Sequence, residues 1–288
     1  MSNNNTLIVL LGATGVGKTE LSLRIAERFS APIVSADSRQ LYRELKIGTA
    51  PPTPAQLARV QHFFVGTHSI FDTYSAGQYE ADVLETLSGI FEKTRTALLV
   101  GGSMMYIDAV CKGLDDIPTV DEKTRTYWNN IYREKGLEYI QNELQRLDPK
   151  HFNEQIDRQN PKRIIHALEV CTLTGRPFSE LRTGVPKKRD FNILKIGLTR
   201  PREELYQRID ARVEQMMEDG LLEEARTFYP FRNLNPLNTV GYKELFEYFD
   251  GTVSLPTAIE NIKRDTRHYA KRQMTWFNRD KEIRWRKM

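Results

Sequence analysis

Eight residues near the amino terminus, Gly12-Ala-Thr-Gly-Val-Gly-Lys18-Thr19, constrain this chain more than any other segment. They fit the pattern G-x-x-x-x-G-K-[ST] at every fixed position, and their flanks give the pattern its meaning. Before them, Thr6-Leu-Ile-Val-Leu-Leu11 is a continuous apolar run rich in β-formers, as expected of a strand buried on both faces. After them, from Lys18, Leu21, Ile25 and Phe29 recur at helical spacing until Ala31-Pro32 stops the helix. The chemistry of phosphate binding needs this order. Glycines let backbone N–H groups curl around a phosphate, the helix N-terminus adds its dipole, Lys18 supplies a point charge, and Thr19 offers a hydroxyl to Mg²⁺. Gly12, Ala13, Thr14, Gly15, Val16, Gly17, Lys18 and Thr19 are therefore the candidate phosphate ligands. The loop does not choose between ATP, GTP and another pyrophosphate ester.

The segments that follow repeat the alternation. Ile33-Val34-Ser35 reads as a second strand, Tyr74 to Glu92 as a helix, and Ala97 to Val100 as a third strand closed by Gly101-Gly102. Strand and helix in alternation imply a parallel sheet with right-handed crossovers. That third strand ends in glycines where a hydrolytic NTPase would carry an Asp, which weakens a nucleotide-hydrolysis reading. From about Thr119 to Arg189 the chain reads as helical throughout, between Pro118 and Pro186-Lys-Lys-Arg189. A strand resumes over Asn192 to Leu198, and a helix after Pro201 aligns Leu205, Ile209, Val213 and Met217 on one stripe and stops at Gly220. The expected architecture is α/β, a P-loop NTPase-like parallel-sheet core with an all-helical insertion. Residues 1–117 form the first part of the core, 118–189 the insertion, and 190–288 the second part, ending in basic helices.

Charge is distributed unevenly. Residues 263–288 hold ten Lys or Arg against Asp265, Asp280 and Glu282, a net +7 within a chain whose total is +4, so the other residues sum to −3. Interleaved with Tyr269, Trp276, Phe277 and Trp285, this tail reads either as a footprint for a polyanion or as a solvated helix face with aromatics in the core. Cys111 and Cys171 stand sixty positions apart, outside any metal-ligand spacing, and support neither a disulfide framework nor a zinc site. The leader Met1 to Thr6 lacks a cationic segment and no apolar run approaches a membrane span, so a cytoplasmic protein that makes no use of a membrane is expected.

Asp37 closes the second strand at its carboxyl end, where open α/β sheets bind ligands. It reads as a general base, as an acceptor-holding carboxylate, or as a cap for the turn Asp37-Ser-Arg-Gln40.

Five segments now add up. Asp37-Ser-Arg-Gln-Leu-Tyr42 with Ile47-Gly-Thr-Ala-Pro-Pro52, Val100-Gly-Gly-Ser-Met-Met-Tyr106, Gly241-Tyr-Lys-Glu-Leu245, and Arg267-His-Tyr-Ala-Lys-Arg-Gln-Met-Thr-Trp-Phe277 resemble, in order, the motif series of the bacterial tRNA dimethylallyltransferases, also called tRNA isopentenyltransferases. The resemblance runs from residue 6 to about residue 280. It implies transfer of a dimethylallyl group from dimethylallyl diphosphate to N6 of the adenosine 3′ of a tRNA anticodon, by a P-loop core with a helical insertion. It implies Lys18, Thr19 with Mg²⁺, and Arg212 on the diphosphate, and Asp37 as general base. The target adenine falls to Asp37, Ser38, Arg39 and Gln40, with Ser103 beside it where many relatives carry Thr.

The anticodon stem-loop would meet Arg125, Lys162, Arg163, His166, Gly241, Tyr242, Lys243, Lys271 and Arg272. Arg125 also reads as a solvated surface residue, and Arg208, one turn from Arg212, reads either as reaching the cleft with it or as half of a surface pair. Tyr242 is a stacking candidate, whereas Trp276 and Phe277 read rather as core. The segment Ile156-Asp-Arg-Gln-Asn160 departs from the family's pattern, and the zinc finger that some eukaryotic relatives append is not expected. A monomer is expected. Two other readings remain open: a P-loop kinase acting on a small acceptor held by Asp37, and a nucleotide-gated RNA-binding module without chemistry.

Overall fold

The computed structural model describes residues 4–154 and 156–288; Met1 to Asn3 of the leader lie outside the described residues. The chain divides into two compact units, one formed by the residues up to Lys112 and from Lys188 onward, the other by Gly113–Lys187.

The first unit is built on β1 (Thr6–Gly12), whose Leu7, Val9 and Leu10 are fully buried. Helix α1 (Lys18–Phe29) follows the glycine loop and ends at Ser30 in left-handed conformation, which turns the chain into β2 (Ile33–Ala36). Then come α2 (Pro54–Arg59), the short β3 (His62–Phe63), and α3 (Ala76–Phe91), which a Ser75/Gln78 capping box starts. Next are β4 (Thr96–Gly101) and α4 (Met104–Lys112).

The second unit contains α5 (Glu122–Leu147), kinked at Gly136, α6 (Pro149–Glu154), α7 (Pro161–Thr174) and α8 (Phe178–Leu181). Among the described residues it holds no strand. Its own core gathers Trp128, Ile140, Leu144, Ile164, Leu168 and Phe178. Asp148, 1% exposed, ties that unit internally by accepting from the backbone N–H groups of His151 and Ser179 and from the Ser179 hydroxyl.

The first unit resumes with β5 (Asn192–Thr199), α9 (Arg202–Glu218), α10 (Leu221–Phe228), α11 (Tyr242–Phe249), the long α12 (Leu255–Phe277) and β6 (Arg284–Lys287). All six strands are parallel, in the order β3-β2-β4-β1-β5-β6. β1 and β4 sit centrally, which explains why their sequences are apolar without alternation. The carboxyl ends of β1, β2 and β4 open on one edge, where the loop at 12–19, Asp37 and Gly101-Gly102 come together.

One expectation needs correction. The basic tail does not end in helix: Arg284 to Lys287 pair with Ile196 to Thr199 as an edge strand. Trp285 alternates with Arg284 and Arg286, and its ring is seated on Gly197, while the arginines remain exposed. Period-two alternation is a strand's signature, and charged neighbours are how an edge strand resists further pairing. Trp276 and Phe277 are core residues, the indole donating to Asp108 at 2.7 Å.

Candidate active site

The phosphate loop is held from outside by other elements. Gly15 and Gly17 take φ of +79° and +107°, conformations open to glycine, and Gly17 leads into α1 without any side-chain cap. The first N–H groups of α1 are thereby left for a ligand. Ala13 and Val16 point their side chains into the core, so their contribution to a ligand is through backbone alone. Arg200 donates to the Val16 carbonyl at 2.8 Å, and Arg208 to the Gly15 carbonyl at 2.9 Å. Arg208 is exposed and also holds the loop, so its surface reading and its cleft reading coexist. Gln273 of α12 accepts from the Thr14 N–H at 2.9 Å, a contact that sequence reasoning missed.

Inside the loop, Lys18 Nζ donates to the carbonyls of Gly12 and Ala13, each at 2.9 Å. Burial of that amine lowers its pKa to about 8; the Asp37 carboxylate works against the shift and the Arg212 guanidinium adds to it. Arg212 is lowered from the ordinary arginine range as well, by burial first and by Arg208 beside it, against Asp37. The cations are crowded together without a matching number of anions.

Two cavities, of about 560 and 380 Å³, meet over this cluster. The first is lined by Lys18, Thr19, Gln40, Arg208 and the loop glycines. The second has an apolar wall of Ile209, Val213, Met216, Val240 and Ile262, and a rim carrying Ser38, Arg39, Lys243 and Arg272. Thr14, Asp37, Thr49, Arg212 and Tyr269 line both. Asp37 thus stands at the junction of a cationic lobe and a partly greasy one. Its Oδ1 accepts from the N–H groups of Arg39 at 2.9 Å and Gln40 at 3.3 Å, so the turn-capping role and the cleft-facing role coexist on one carboxylate.

Behind Asp37, Ser103 accepts from the Ser38 N–H at 2.8 Å and donates to the Ser38 hydroxyl at 3.1 Å. Tyr269 bonds to Ser103; burial and the Asp37 charge push its phenol up to about 12, so it stays a neutral donor at ordinary pH. Gln40 spends its amide on the carbonyls of Thr49 and Ala50, which fixes the turn flanking the cleft.

Not every candidate reaches the cleft. Gly241 and Lys243 line it, but Tyr242 between them is fully buried and gives its hydroxyl to Glu224 at 2.6 Å. The same carboxylate captures the N–H groups of Lys46, Ile47 and Gly48. Tyr242 is therefore a brace for the 46–48 turn, which corrects the stacking expectation. Arg272 lines the cavity and Lys271 is exposed beside it. In the second unit, Lys162, Arg163 and His166 are exposed on α7. Arg125 lies 3.9 Å and His166 3.6 Å from the buried Glu169 carboxylate, so Arg125 is paired there and is not simply solvated.

Among the described residues, no group of three or more His, Cys, Asp or Glu side chains forms a ready-made metal cage. The donors present suit Mg²⁺ nonetheless, because that ion keeps several waters and commonly takes one or two protein oxygens plus phosphate. The Thr19 hydroxyl and the Asp37 carboxylate face the same cationic lobe.

Comparison with known proteins gives a consistent result. The family model described as IPP transferase matches residues 40–280. The chain is 61% identical over 281 residues to a tRNA dimethylallyltransferase 1 of Phocaeicola vulgatus, covering 98% of this chain and 93% of that protein. It is 60% identical to the protein of the same name from Bacteroides thetaiotaomicron, covering 97% and 91%. Among solved structures it resembles the full-length tRNA isopentenylpyrophosphate transferase of Bacillus halodurans, with a TM-score of 0.71, 35% identity, and 98% and 90% of the two chains covered. It also resembles a eukaryotic dimethylallyltransferase described as acting on tRNA, with a TM-score of 0.80, 25% identity, and 98% and 74% covered.

Proposed function

The chain belongs to the IPP transferase family, and from that premise we propose how its cleft performs tRNA prenylation. The enzyme transfers a dimethylallyl group from dimethylallyl diphosphate to N6 of the adenosine 3′ of the anticodon. The observation that carries this reading is the position of Asp37, lining both the cationic lobe and the lobe with the apolar wall.

The adenine amine is a poor nucleophile because its lone pair is delocalised into the ring. A base must take its proton as the N–C bond forms, and Asp37 is the carboxylate between the two lobes. As the allylic C–O bond breaks, negative charge builds on the departing diphosphate. Lys18, Arg212, Arg208 and the first N–H groups of α1 are fixed around that position, so they favour the transition state over the bound substrate. Thr19 would hold a Mg²⁺ ion, which would supply further charge neutralisation. The five-carbon chain lies against Ile209, Val213, Met216 and Ile262, which also keep water from an allylic centre with cationic character. Ser38, Ser103 and Tyr269 offer the hydroxyls that hold the adenine edge. The base must leave its stack to enter, at a cost of a few kcal/mol that an unpaired loop nucleotide makes tolerable.

On the RNA side, Lys271 and Arg272 of α12, with Lys162, Arg163, His166 and Arg125 of the helical unit, serve phosphates of the anticodon stem-loop. The test is a product assay. Incubation with dimethylallyl diphosphate, unmodified tRNA and Mg²⁺ should add one five-carbon group to a single adenosine. Phosphate transfer from ATP to a small acceptor, or tight RNA binding with no covalent change, would overturn the reading.

A further inference from the structure

The loop that grips phosphate is short and glycine-rich. What fixes its shape is a set of contacts made on its outer side. Its carbonyls at Gly15 and Val16 are taken by Arg208 and Arg200, both from the β5–α9 segment. The N–H of Thr14 goes instead to the side chain of Gln273, from a helix that is distant in sequence.

Gln273 is 2% exposed. Its Oε1 accepts from Thr14 N–H at 2.9 Å and its Nε2 donates to the Gly102 carbonyl at 2.8 Å. One amide thus bridges the phosphate loop and the turn after β4, the two glycine-rich edges of the cleft. The fit is close: a Cβ added to Gly102 would run into the Gln273 Nε2. Burying an amide is costly unless both ends are paired, and here the pairing engages backbone groups of two separate segments. A hydrocarbon side chain would fill the same volume and leave Thr14 N–H and the Gly102 carbonyl without partners. One turn earlier on α12, Tyr269 reaches Ser103 and the cleft, and next to Gln273 stands Arg272, which lines it. The same helix face therefore touches the adenine side and the phosphate side.

We propose that Gln273 is a positioning residue: from α12, on the wall of the cationic lobe, it holds the phosphate loop in the shape that accepts a diphosphate. The proposal rests on the loop's being a diphosphate cradle, as argued above. Both polar atoms of the Gln273 amide are spent on backbone groups at the two edges of the cleft, so its loss should appear as weaker capture of the diphosphate. The proton transfer to Asp37 should be largely unaffected.

The experiment compares wild type, Gln273→Met, Gly102→Ala, Gln273→Ala and the double variant Gly102→Ala/Gln273→Ala. Two quantities are measured: KM and kcat for dimethylallyl diphosphate, and the Kd of inorganic pyrophosphate by calorimetry. Gln273→Met is expected to raise both KM and the pyrophosphate Kd about tenfold or more, the size of one to two net hydrogen bonds, with a smaller change in kcat and in tRNA affinity. Gly102→Ala should do the same with Gln273 intact, because the new methyl displaces the amide. In the Gln273→Ala background Gly102→Ala should then add little, the non-additivity of two changes that break one contact.

Unchanged pyrophosphate affinity in Gln273→Met, or simple additivity in the double variant, would overturn the proposal. A folding failure of Gln273→Met would leave Gly102→Ala to decide it by the same criterion. Wild type that binds pyrophosphate in a Gln273-dependent way but prenylates no tRNA would sink the proposed function and leave the positioning role standing.

Discussion

In the cleft, Lys18, Arg208 and Arg212 crowd one another beside the Asp37 carboxylate, with Glu20 also on the wall of that lobe; in the helical unit, Arg125 and His166 flank the buried Glu169 while Lys162 and Arg163 stand in solvent. The two arrangements handle positive charge oppositely. In the cleft, burial and like-charge repulsion push Lys18 down to about 8 and lower Arg212, so the folded chain carries an unmet demand for anion. On α7 the cations Lys162 and Arg163 stand in solvent, and on the proposed reading each adds an increment to an RNA-attracting surface. The lesson is that a concentrated, partly desolvated charge cluster marks where chemistry happens. A dispersed, solvated one marks where a polyanion is steered and held.

If that contrast is right, single substitutions in the cleft should be drastic for turnover and those in the helical unit should not. Asp37→Ala removes the proposed base and is expected to cut kcat by about 10²–10⁴-fold while tRNA affinity stays near wild type. Glu169→Gln neutralises the helical unit's buried carboxylate and is expected to leave kcat almost untouched. Steady-state kinetics on both variants would break the comparison if Asp37→Ala kept its turnover, or if Glu169→Gln lost as much.

Lys18 sharpens the contrast through pH. In the ligand-free cleft it gives up its proton near pH 8, whereas an ordinary lysine holds it to 10.5. Donor capture needs the charged amine, so kcat/KM for dimethylallyl diphosphate should fall above pH 8, approaching about tenfold per pH unit once a single proton controls it. Stability moves the other way. Between pH 8 and 10.5 the unfolded chain binds the extra proton, so the ligand-free protein should become more stable, from this group, as pH rises through that window. Lys18→Met should abolish both trends. A flat kcat/KM profile from pH 7 to 9.5 in the wild type would show that the cluster is not poised as described.

What is legible in the sequence follows the same divide. β1, the loop and Asp37 are readable because backbone geometry imposes fixed spacing on them: a buried strand needs Leu7 to Leu11, the turn needs its glycines, and the helix must start at Lys18. Tyr242 misleads because an aromatic within a motif looks the same whether it faces RNA or, as here, braces a turn through Glu224, eighteen residues away in sequence. Gln273 escapes notice, and the loop contact of Arg208 is illegible, for a related reason. Their partners are backbone atoms of the loop, 259 and 193 residues distant, and no periodicity on α12 or α9 announces them. The strand at Arg284–Lys287 is hidden by its charge, since Arg-Trp-Arg-Lys resembles a polyanion footprint before it resembles an edge. Helical content in 119–189 is plain, but the internal tie of Asp148 to Ser179 depends on a tertiary contact.

The smallest expected effects belong to the solvated cations, and they are best read from salt dependence. Removing one cation that sits on a phosphate should reduce the slope of log Kobs against log[salt] by about 0.7 to 0.9. Neutralising Lys271 and Arg272 together should then flatten the slope for the anticodon stem-loop by about 1.4 to 1.8, and neutralising Lys162 and Arg163 by a similar amount if both touch the stem. The two pairs should separate in a second measurement. Arg272 lines the cavity whereas Lys162 and Arg163 belong to a different unit, so only the first pair should also raise the donor KM. For Lys162 and Arg163, kcat at saturating tRNA should be unchanged, because binding that is equal in ground and transition states leaves the chemical step alone. An unaltered slope for that pair would mean the α7 cations are ordinary surface charge. A fall in kcat would mean that the helical unit takes part in the chemistry and that the contrast between concentrated and dispersed charge is drawn in the wrong place.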